Sequence, residues 1–537
     1  MAPAVLDCAG LLALLLALPP LAAVAVATLV ARRLGPLERA VLAIACAAFA
    51  LSAVASPVSY VHDHYTHFRH AYGSWADPYL LLDPWDRPAF MWLYAWPARL
   101  GLTAARLFSV VPAAVALSAT MLGARAAGLR RPWLAGVLLA AQYDVFGQAS
   151  STMTELLLAA GLAVACWGFL EDRPWLAAAG LAFGGIARPE APVLVAAAAL
   201  VLVARTRSVR PALLVVAPFL AWVALGSALH HDLLWYVHGN AYRDTVGLRL
   251  EARQVLHSYF HEALWEGQPL PLLALELAGA FLVLREGGRR AVFLLAPIAA
   301  LWLLLTFLRI GPYDWWRQPR YTVSVAPLLA LLALQAHAAL EDRLPRLAAP
   351  ALLAAAALSA AGAAGRAWRP LVAPGSSALW ALFAVALALA AVASLARARL
   401  PAPAALSALL AAPLVLAPPG VFGHHLPTPS ERAAEQVVRA LASHAPPAVA
   451  FDHGSLEPAC ARLLGDPCPL PLQQRDAPAP GDTLFVKQYD GTWAPPDPPP
   501  GWRQVWRASG PRVEGPILAP VQWSTTTMIW ERAAPPG

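Results

Sequence analysis

Ten residues early in the chain concentrate more reactive side chains than any other stretch of it. They read Val61-His62-Asp63-His64-Tyr65-Thr66-His67-Phe68-Arg69-His70. A carboxylate set among imidazoles is suited to take a proton from a hydroxyl or an amine. The same set could instead help hold a divalent metal, magnesium or manganese, that neutralises a phosphate leaving group. The bland alternative is that these groups are simply solvated at a membrane surface. Asp63 follows an apolar run by only a few residues, which puts its carboxylate near the membrane–water boundary. The stretch continues through Tyr72-Gly73-Ser74-Trp75 to Asp83-Pro84-Trp85-Asp86-Arg87-Pro88. Beyond it, Phe90 to Leu107 is rich in Trp and Tyr and reads as an amphipathic segment able to lie flat in the interface.

Three further groups carry chemical potential. Arg188 and Glu190 sit in a minimal loop between two apolar runs, and Glu155 opens another run. Ionisable groups at membrane depth are functional candidates and are usually paired. A structural Arg–Glu pair, and a helix-start acid favoured by the helix dipole, are the plain readings. Arg309, Arg317 and Arg320 converge with Tyr313, Trp315, Trp316 and Tyr321. Arginine grips phosphate oxygens two at a time, whereas the aromatics read equally well as interface anchors. The stretch 230–268 holds His230, His231, His238, Tyr242, Arg243, His257 and His261, either a lid over a site or a pair of solvated interfacial helices.

The elements that must position these groups are membrane spans. Of 537 residues, 59% are hydrophobic and 13% charged, and the mean hydropathy is +0.55. Soluble domains carry about twice that share of charge. Apolar runs of spanning length lie near 5–30, 39–56, 106–123, 133–147, 154–170, 174–187, 191–204, 211–229, 269–285, 291–308, 322–340, 347–364, 377–395 and 402–418. The expected fold is therefore an all-α polytopic membrane protein of about 12–14 helices. The net charge of +7 does not point to nucleic acid, because the arginines sit in short turns between apolar runs.

Those arginines orient the chain. Arg32, Arg33, Arg39, Arg125, Arg130, Arg131, Arg173, Arg205, Arg207, Arg210, Arg285, Arg289, Arg290, Arg343, Arg346, Arg397 and Arg399 fall in one set of alternating turns, which the positive-inside rule makes cytoplasmic. The other set, led by 57–105, is longer and holds nearly all the groups described above, so it faces outward. The first run lacks a basic leader and is long for a signal peptide, so it reads as a retained helix. Residues 1–419 then form the membrane domain.

Residues 420–537 read as a small extracytoplasmic α/β domain. Ser430 caps a helix running to about Ser443, and Ala448–Phe451 and Thr483–Val486 read as short buried strands. Cys8, Cys46 and Cys166 lie in apolar runs as packing residues, while Cys460 and Cys468 could pair in an oxidising compartment. No repeat of 20–50 residues is present.

Taken in order, these motifs resemble a family. An acidic residue after an early span, then Tyr, Gly, the Asp83-Pro84-Trp85-Asp86-Arg87-Pro88 segment and Gly101-Leu102-Thr103-Ala104-Ala105-Arg106-Leu107 resemble the opening of GT-C glycosyltransferases. These enzymes depend on polyprenyl- or dolichyl-phosphate sugars and include protein mannosyltransferases and bacterial lipid A aminoarabinose transferases. Thr154-Glu155-Leu156-Leu157, Gly184-Gly185-Ile186-Ala187-Arg188-Pro189-Glu190 and Arg317-Gln318-Pro319-Arg320-Tyr321 extend the resemblance over nearly the whole chain. It implies an inverting transferase of the inner (plasma) membrane with Asp63 as general base. His62, His64, Tyr65, Arg87, Glu155, Arg188, Glu190, Arg317, Arg320 and Tyr321 become candidates to bind substrates. One of Arg188, Arg317 and Arg320 would meet the donor phosphate. The implied partners are a polyprenyl-phosphate sugar donor, a lipid, glycan or protein acceptor, and the bilayer. Two departures stand out: His64 follows Asp63 where many members have Glu, and two runs rather than one precede the loop.

Two other classes compete. A His-cluster membrane oxidoreductase would use His62, His64, His67 and His70 with His257-x-x-x-His261, and would contain iron. A transporter or flippase would place ionisable groups in mid-span, whereas here they gather toward one face.

Overall fold

The computed structural model describes residues 8–55, 62–140, 142–239, 246–248, 270–310, 319–343, 429–444 and much of 449–532. Helices α1 (Cys8–Ala31) and α2 (Pro36–Ala55) precede the first outer stretch, which is itself largely helical. That stretch contains α3 (His62–Gly73), a 3-10 turn (Pro78–Leu82) and α4 (Pro88–Arg99), followed by α5 (Leu102–Phe108) and α6 (Val110–Ala126). Next come α7 (Trp133–Ala140), α8 (Tyr143–Ala149), α9 (Glu155–Leu170), α10 (Pro174–Gly185), α11 (Ala191–Thr206), α12 (Arg210–His230) and the short α13 (Trp235–His238). Strand β1 (Val246–Leu248) pairs antiparallel with β2 (Leu308–Ile310). Between them lie α14 (Leu270–Glu286) and α15 (Gly288–Phe307), and α16 (Ala326–Arg343) follows a 3-10 segment (Pro319–Val325).

Five described segments are long and apolar enough to cross a membrane: Pro36–Val54, Leu102–Ala126, Arg210–His230, Gly288–Phe307 and Arg320–Ala339. Leu16–Ala31, Glu155–Leu170 and Ala191–Thr206 are shorter apolar helices. The chain is a membrane protein. Each apolar run from 5–30 to 322–340 coincides with a helix or a helix pair. The runs at 347–364, 377–395 and 402–418 lie outside the described residues.

The stretch from Phe90 to Leu107 differs from the sequence expectation. It breaks at Gly101, whose φ of 104° ends one helix and starts the next, since only glycine adopts such a backbone freely. Helix α4 buries Phe90, Met91, Leu93, Tyr94, Ala95 and Ala98, so it is packed inside the protein and does not lie on an interface. Tyr94 OH and Ser109 Oγ are 2.8 Å apart, and Arg106 Nε donates to the Ser150 carbonyl at 3.0 Å. These polar ties fix α4 against the α5–α6 junction and the loop that leads into α9.

Glycines set the spacing of α9 and α10. A Cβ on Gly161 would stand 2.8 Å from the Gly180 carbonyl oxygen, one on Gly168 2.5 Å from the Ala177 nitrogen, and one on Gly180 2.5 Å from the Ala165 nitrogen. No side chain fits at those distances, so the two backbones touch, as small residues permit in membrane helix pairs. Helix α9 starts with Glu155, and the turn after α10 holds Arg188. The glycine contact therefore fixes how far apart these two residues can be.

The described residues group into two compact units, the second holding Ala55, residues 62–65 and the described residues from 429 onward. In the tail, α17 (Pro429–His444) and α18 (Leu456–Leu464) accompany five strands: β3 (Val449–Phe451), β4 (Leu472–Gln474), β5 (Leu484–Gly491), β6 (Trp502–Glu514) and β7 (Val521–Arg532). Their order is β4-β3-β5-β7-β6. Strand β3 runs parallel to β4 and β5, while β7 runs antiparallel to β5 and β6. Val437, Val438 and Leu441 of α17 pack with Leu456 and Cys460 of α18 onto Val449, Phe451, Val486 and Ile529. The expected helix begins one residue early, at Pro429, where a missing N–H costs nothing. Cys460 and Cys468 form a disulfide with Cα atoms 5.4 Å apart.

Candidate active site

The first group is built on the turn before α4. Asp83 Oδ1 accepts from the Trp85 and Asp86 amides at 2.7 and 2.9 Å, an Asx turn of the kind Asp-Pro sequences favour. Trp85 stacks on His67, centroids 4.5 Å apart. Asp86 is 0% exposed, and its two oxygens accept from His67 Nδ1 and His70 Nδ1, both contacts very short. Burial alone would raise the Asp86 pKa, but the two imidazole hydrogen bonds hold it below the ordinary carboxylate value. Burial likewise opposes charge on His70, yet the Asp86 hydrogen bond and charge leave its pKa above the ordinary imidazole value. Burial and the neighbouring Asp86 raise Asp83.

Arg87 follows directly, and its backbone is strained, with φ 71° and ψ 145°. Its side chain is 1% exposed. Nη1 donates to the Tyr236 hydroxyl at 3.1 Å. The guanidinium carbon lies 5.3 Å from the Trp222 ring centre and 5.2 Å from that of Tyr236, within cation–π range. Trp222 is itself fixed by donating Nε1–H to the Leu82 carbonyl at 3.2 Å. Among the described residues Arg87 pairs with no carboxylate, and its Nε has no hydrogen-bond partner. The acid next to it in sequence, Asp86, is already committed to the two histidines. A buried cation without a counter-charge is costly, so the cage is suited to accept an anion.

The second group lies where α9, the α10–α11 turn and the start of the Arg320–Ala339 span meet. Pro189 has no N–H and disfavours helix at Arg188, which ends α10 and exposes a turn. Arg188 Nη1 lies 2.8 Å from Glu155 Oε1, and its Nε bonds Glu190 Oε1 at very short range. Nη1 also donates to Thr154 Oγ1 at 2.6 Å. Arg320 Nε is 3.6 Å from the same Glu155 oxygen. The Tyr321 ring centre is 5.1 Å from the Arg188 guanidinium and 5.2 Å from that of Arg320. Gln148 Nε2 steadies the segment by donating to the Arg320 carbonyl at 3.3 Å. All of these side chains are buried. Burial works against the Arg188 charge, but Glu155 and Glu190 more than offset it and hold the pKa above the ordinary arginine range. Two acids and two arginines leave this cluster formally neutral. Glu155 Oε2 and Glu190 Oε2 accept no hydrogen bond among the described residues. A backbone bond, Ala89 N–H to the Ile186 carbonyl at 3.3 Å, ties the Arg87 turn to the Arg188 turn.

The sequence candidates therefore divide. Glu155, Arg188, Glu190, Arg320 and Tyr321 come together in one buried cluster, and Arg87 occupies an aromatic cage. Asp63 stands half-buried in the first turn of α3, with His64 and Tyr65 buried beside it in sequence. His62 opens that helix. Helical spacing sets Asp63, His67 and His70 along one side of α3. Arg317, Tyr242, Arg243, His257 and His261 lie outside the described residues. Asp86, Trp222, Tyr236 and Thr154 were not among the expected site residues. The one sequence signal for Asp86 is its place inside the Asp83–Pro88 segment, which does not reveal its burial or its two histidine partners. Ligand atoms of His70, Asp83 and Asp86 all lie within 4.8 Å of one another. A mixed imidazole–carboxylate set of this kind suits manganese or zinc better than magnesium.

No family model and no curated protein matches the chain. Solved structures do. The crystal structure of ArnT from Cupriavidus metallidurans bound to undecaprenyl phosphate superposes with a TM-score of 0.58 at 16% identity, over 84% of this chain and 92% of that one. The apo form gives 0.52 at 17% identity, over 75% and 82%. The chain has the GT-C fold. At such identity the likeness is one of architecture.

Proposed function

We propose that this chain is a membrane glycosyltransferase that moves a sugar from a polyprenyl-phosphate-linked donor to an acceptor at the outer face of the cell's inner membrane. The observation that carries this reading is Arg87, a fully buried guanidinium caged by Trp222 and Tyr236 and without a carboxylate partner among the described residues. The GT-C fold and the undecaprenyl phosphate found in a structure of the same architecture support an anionic lipid as the missing partner. In the proposed step the acceptor hydroxyl or amine attacks the anomeric carbon, and the bond from that carbon to the phosphate oxygen breaks. Asp63 takes the acceptor proton, and the polyprenyl phosphate leaves with an added negative charge that Arg87 stabilises. Stabilisation of developing charge is often the largest catalytic contribution. The lipid tail enters laterally between spans. Arg320 and Arg317 supply further positive charge, whereas Arg188, held by two carboxylates, serves mainly to fix Glu155 and Glu190. The unpartnered oxygens of those two acids are suited to accept hydrogen bonds from sugar hydroxyls.

The test is transfer from a panel of undecaprenyl-phosphate sugars by the purified protein. Arg87→Ala is expected to lower kcat by about 100-fold, the scale seen when one oxyanion donor is removed. Asp63→Asn is expected to abolish turnover while still binding donor. Full activity in Asp63→Asn would remove it as the base.

A transporter or flippase is the second reading. Glu276 in α14 and His337 in the Arg320–Ala339 span are buried ionisable groups, and an intramembrane pathway uses such groups. Flux of undecaprenyl phosphate across proteoliposomes, without sugar transfer, would favour it.

A further inference from the structure

The turn that carries Arg87 is held by an arrangement that the transfer reaction does not itself use. One buried carboxylate bonds two imidazoles from successive turns of α3, and the next residue is the caged arginine. Asp83 closes the turn with its Asx bonds, and Trp85 stacks on His67. The Arg87 backbone sits in a left-handed conformation that a non-glycine residue adopts only when its surroundings impose it. Of the contacts on this turn, the two imidazole–carboxylate bonds are charge-assisted, roughly twice as strong as neutral ones.

We propose that Asp86 is a positioning residue for the donor phosphate: by accepting from His67 and His70 it locks the Asp83–Pro88 turn to α3 and so presents Arg87 to the lipid-linked phosphate. The inference rests on the reading of Arg87 as the phosphate ligand. Asp86 touches no substrate in this scheme. It removes the freedom that Arg87 would otherwise lose on binding, so its loss weakens binding through Arg87 and not in addition to it. His67 and His70 contribute only their Nδ1–H donors. An asparagine side chain can offer an N–H from about the same place, whereas alanine cannot.

The experiment measures equilibrium binding of undecaprenyl phosphate to the full chain in detergent, for wild type, Asp86→Asn, His70→Ala, His70→Asn, Arg87→Ala and the Asp86→Asn/Arg87→Ala double variant. Asp86→Asn and His70→Ala are expected to weaken binding about tenfold, the scale of one charge-assisted hydrogen bond. His70→Asn is expected to recover most of that loss. The double variant is expected to bind no more weakly than Arg87→Ala alone, because residues acting through one another are not additive. Additive losses, or wild-type binding in both Asp86→Asn and His70→Ala, overturn the positioning role while leaving Arg87 in place. Wild-type binding in Arg87→Ala overturns the phosphate reading itself, and this proposal with it. An equal loss of wild-type binding on adding a chelator also overturns the proposal, since Asp86 would then act through a metal. His70 is only half-buried, so its variants keep the test decisive if Asp86→Asn fails to fold.

Discussion

Glu155 has two arginines within ion-pair reach at one oxygen and, among the described residues, no hydrogen-bond partner at the other. That asymmetry separates its structural work from whatever it does for a substrate. Removing its charge leaves Arg188 with Glu190 and takes one carboxylate away from Arg320 in a buried setting. Losing one partner of a buried pair is costly because the other stays behind. Glu155→Gln is therefore expected to destabilise the protein by roughly 3 kcal/mol, read from chemical unfolding in detergent. A change under about 0.5 kcal/mol would mean that the cluster is solvated and its ion pairs weak. The individual residues here were legible in sequence: Glu155, Arg188, Glu190, Arg320 and Tyr321 each stand out as polar groups beside apolar runs. Their convergence was not, because it depends on three segments spread over more than 160 positions of the chain and on the crossing of α9 and α10. Asp86 was harder still. Nothing in the sequence distinguishes a buried acid holding two histidines from a solvated loop aspartate.

At the scale of elements, the glycines of α9 and α10 do the positioning. Gly180 and Gly161 face each other at backbone contact, while Gly185, one turn further on, has only Val195 Cγ1 at 3.8 Å from where a Cβ would stand. The two sites make a matched pair. Gly180→Val is expected to force the helices apart, at an overpacking cost of about 1–3 kcal/mol. The ends of those helices carry Glu155 and lead into Arg188, so donor transfer should fall as well, although no site residue has changed. Gly185→Ala adds one methyl at an ordinary contact distance and should leave both thermal stability and transfer near wild type. Equal effects from the two substitutions would mean that the helix contact is not what sets the cluster. The helices themselves were legible: unbroken apolar runs of spanning length admit little else. The break within Phe90–Leu107 was less so. Gly101 marks it, but periodicity alone made the stretch look like one surface helix, and burial of α4 on most sides comes from neighbours far away in sequence.

For the whole molecule, the decisive quantity is sidedness. In the topology we propose, the arginine-rich turns face the cytoplasm and the outer loops and the tail face outward. The Cys460–Cys468 disulfide supports that placement, since such bonds persist in oxidising compartments and are rare in the cytosol. Two exposed positions can test it directly. Asp497 lies in the tail, and Val209 lies in the turn between Arg207 and Arg210. Among the described residues the free cysteines, Cys46 and Cys166, are in apolar helices, so they give little background. In intact cells with the outer envelope opened, a membrane-impermeant maleimide is expected to label Asp497→Cys within minutes and to leave Val209→Cys unlabelled until the inner membrane is permeabilised. Both variants keep the site untouched, so transfer activity should persist and certify the fold being labelled. The reverse pattern would place the caged arginine in the cytoplasm. An outward-facing transferase could not then be sustained, although every local contact in the site would remain as described.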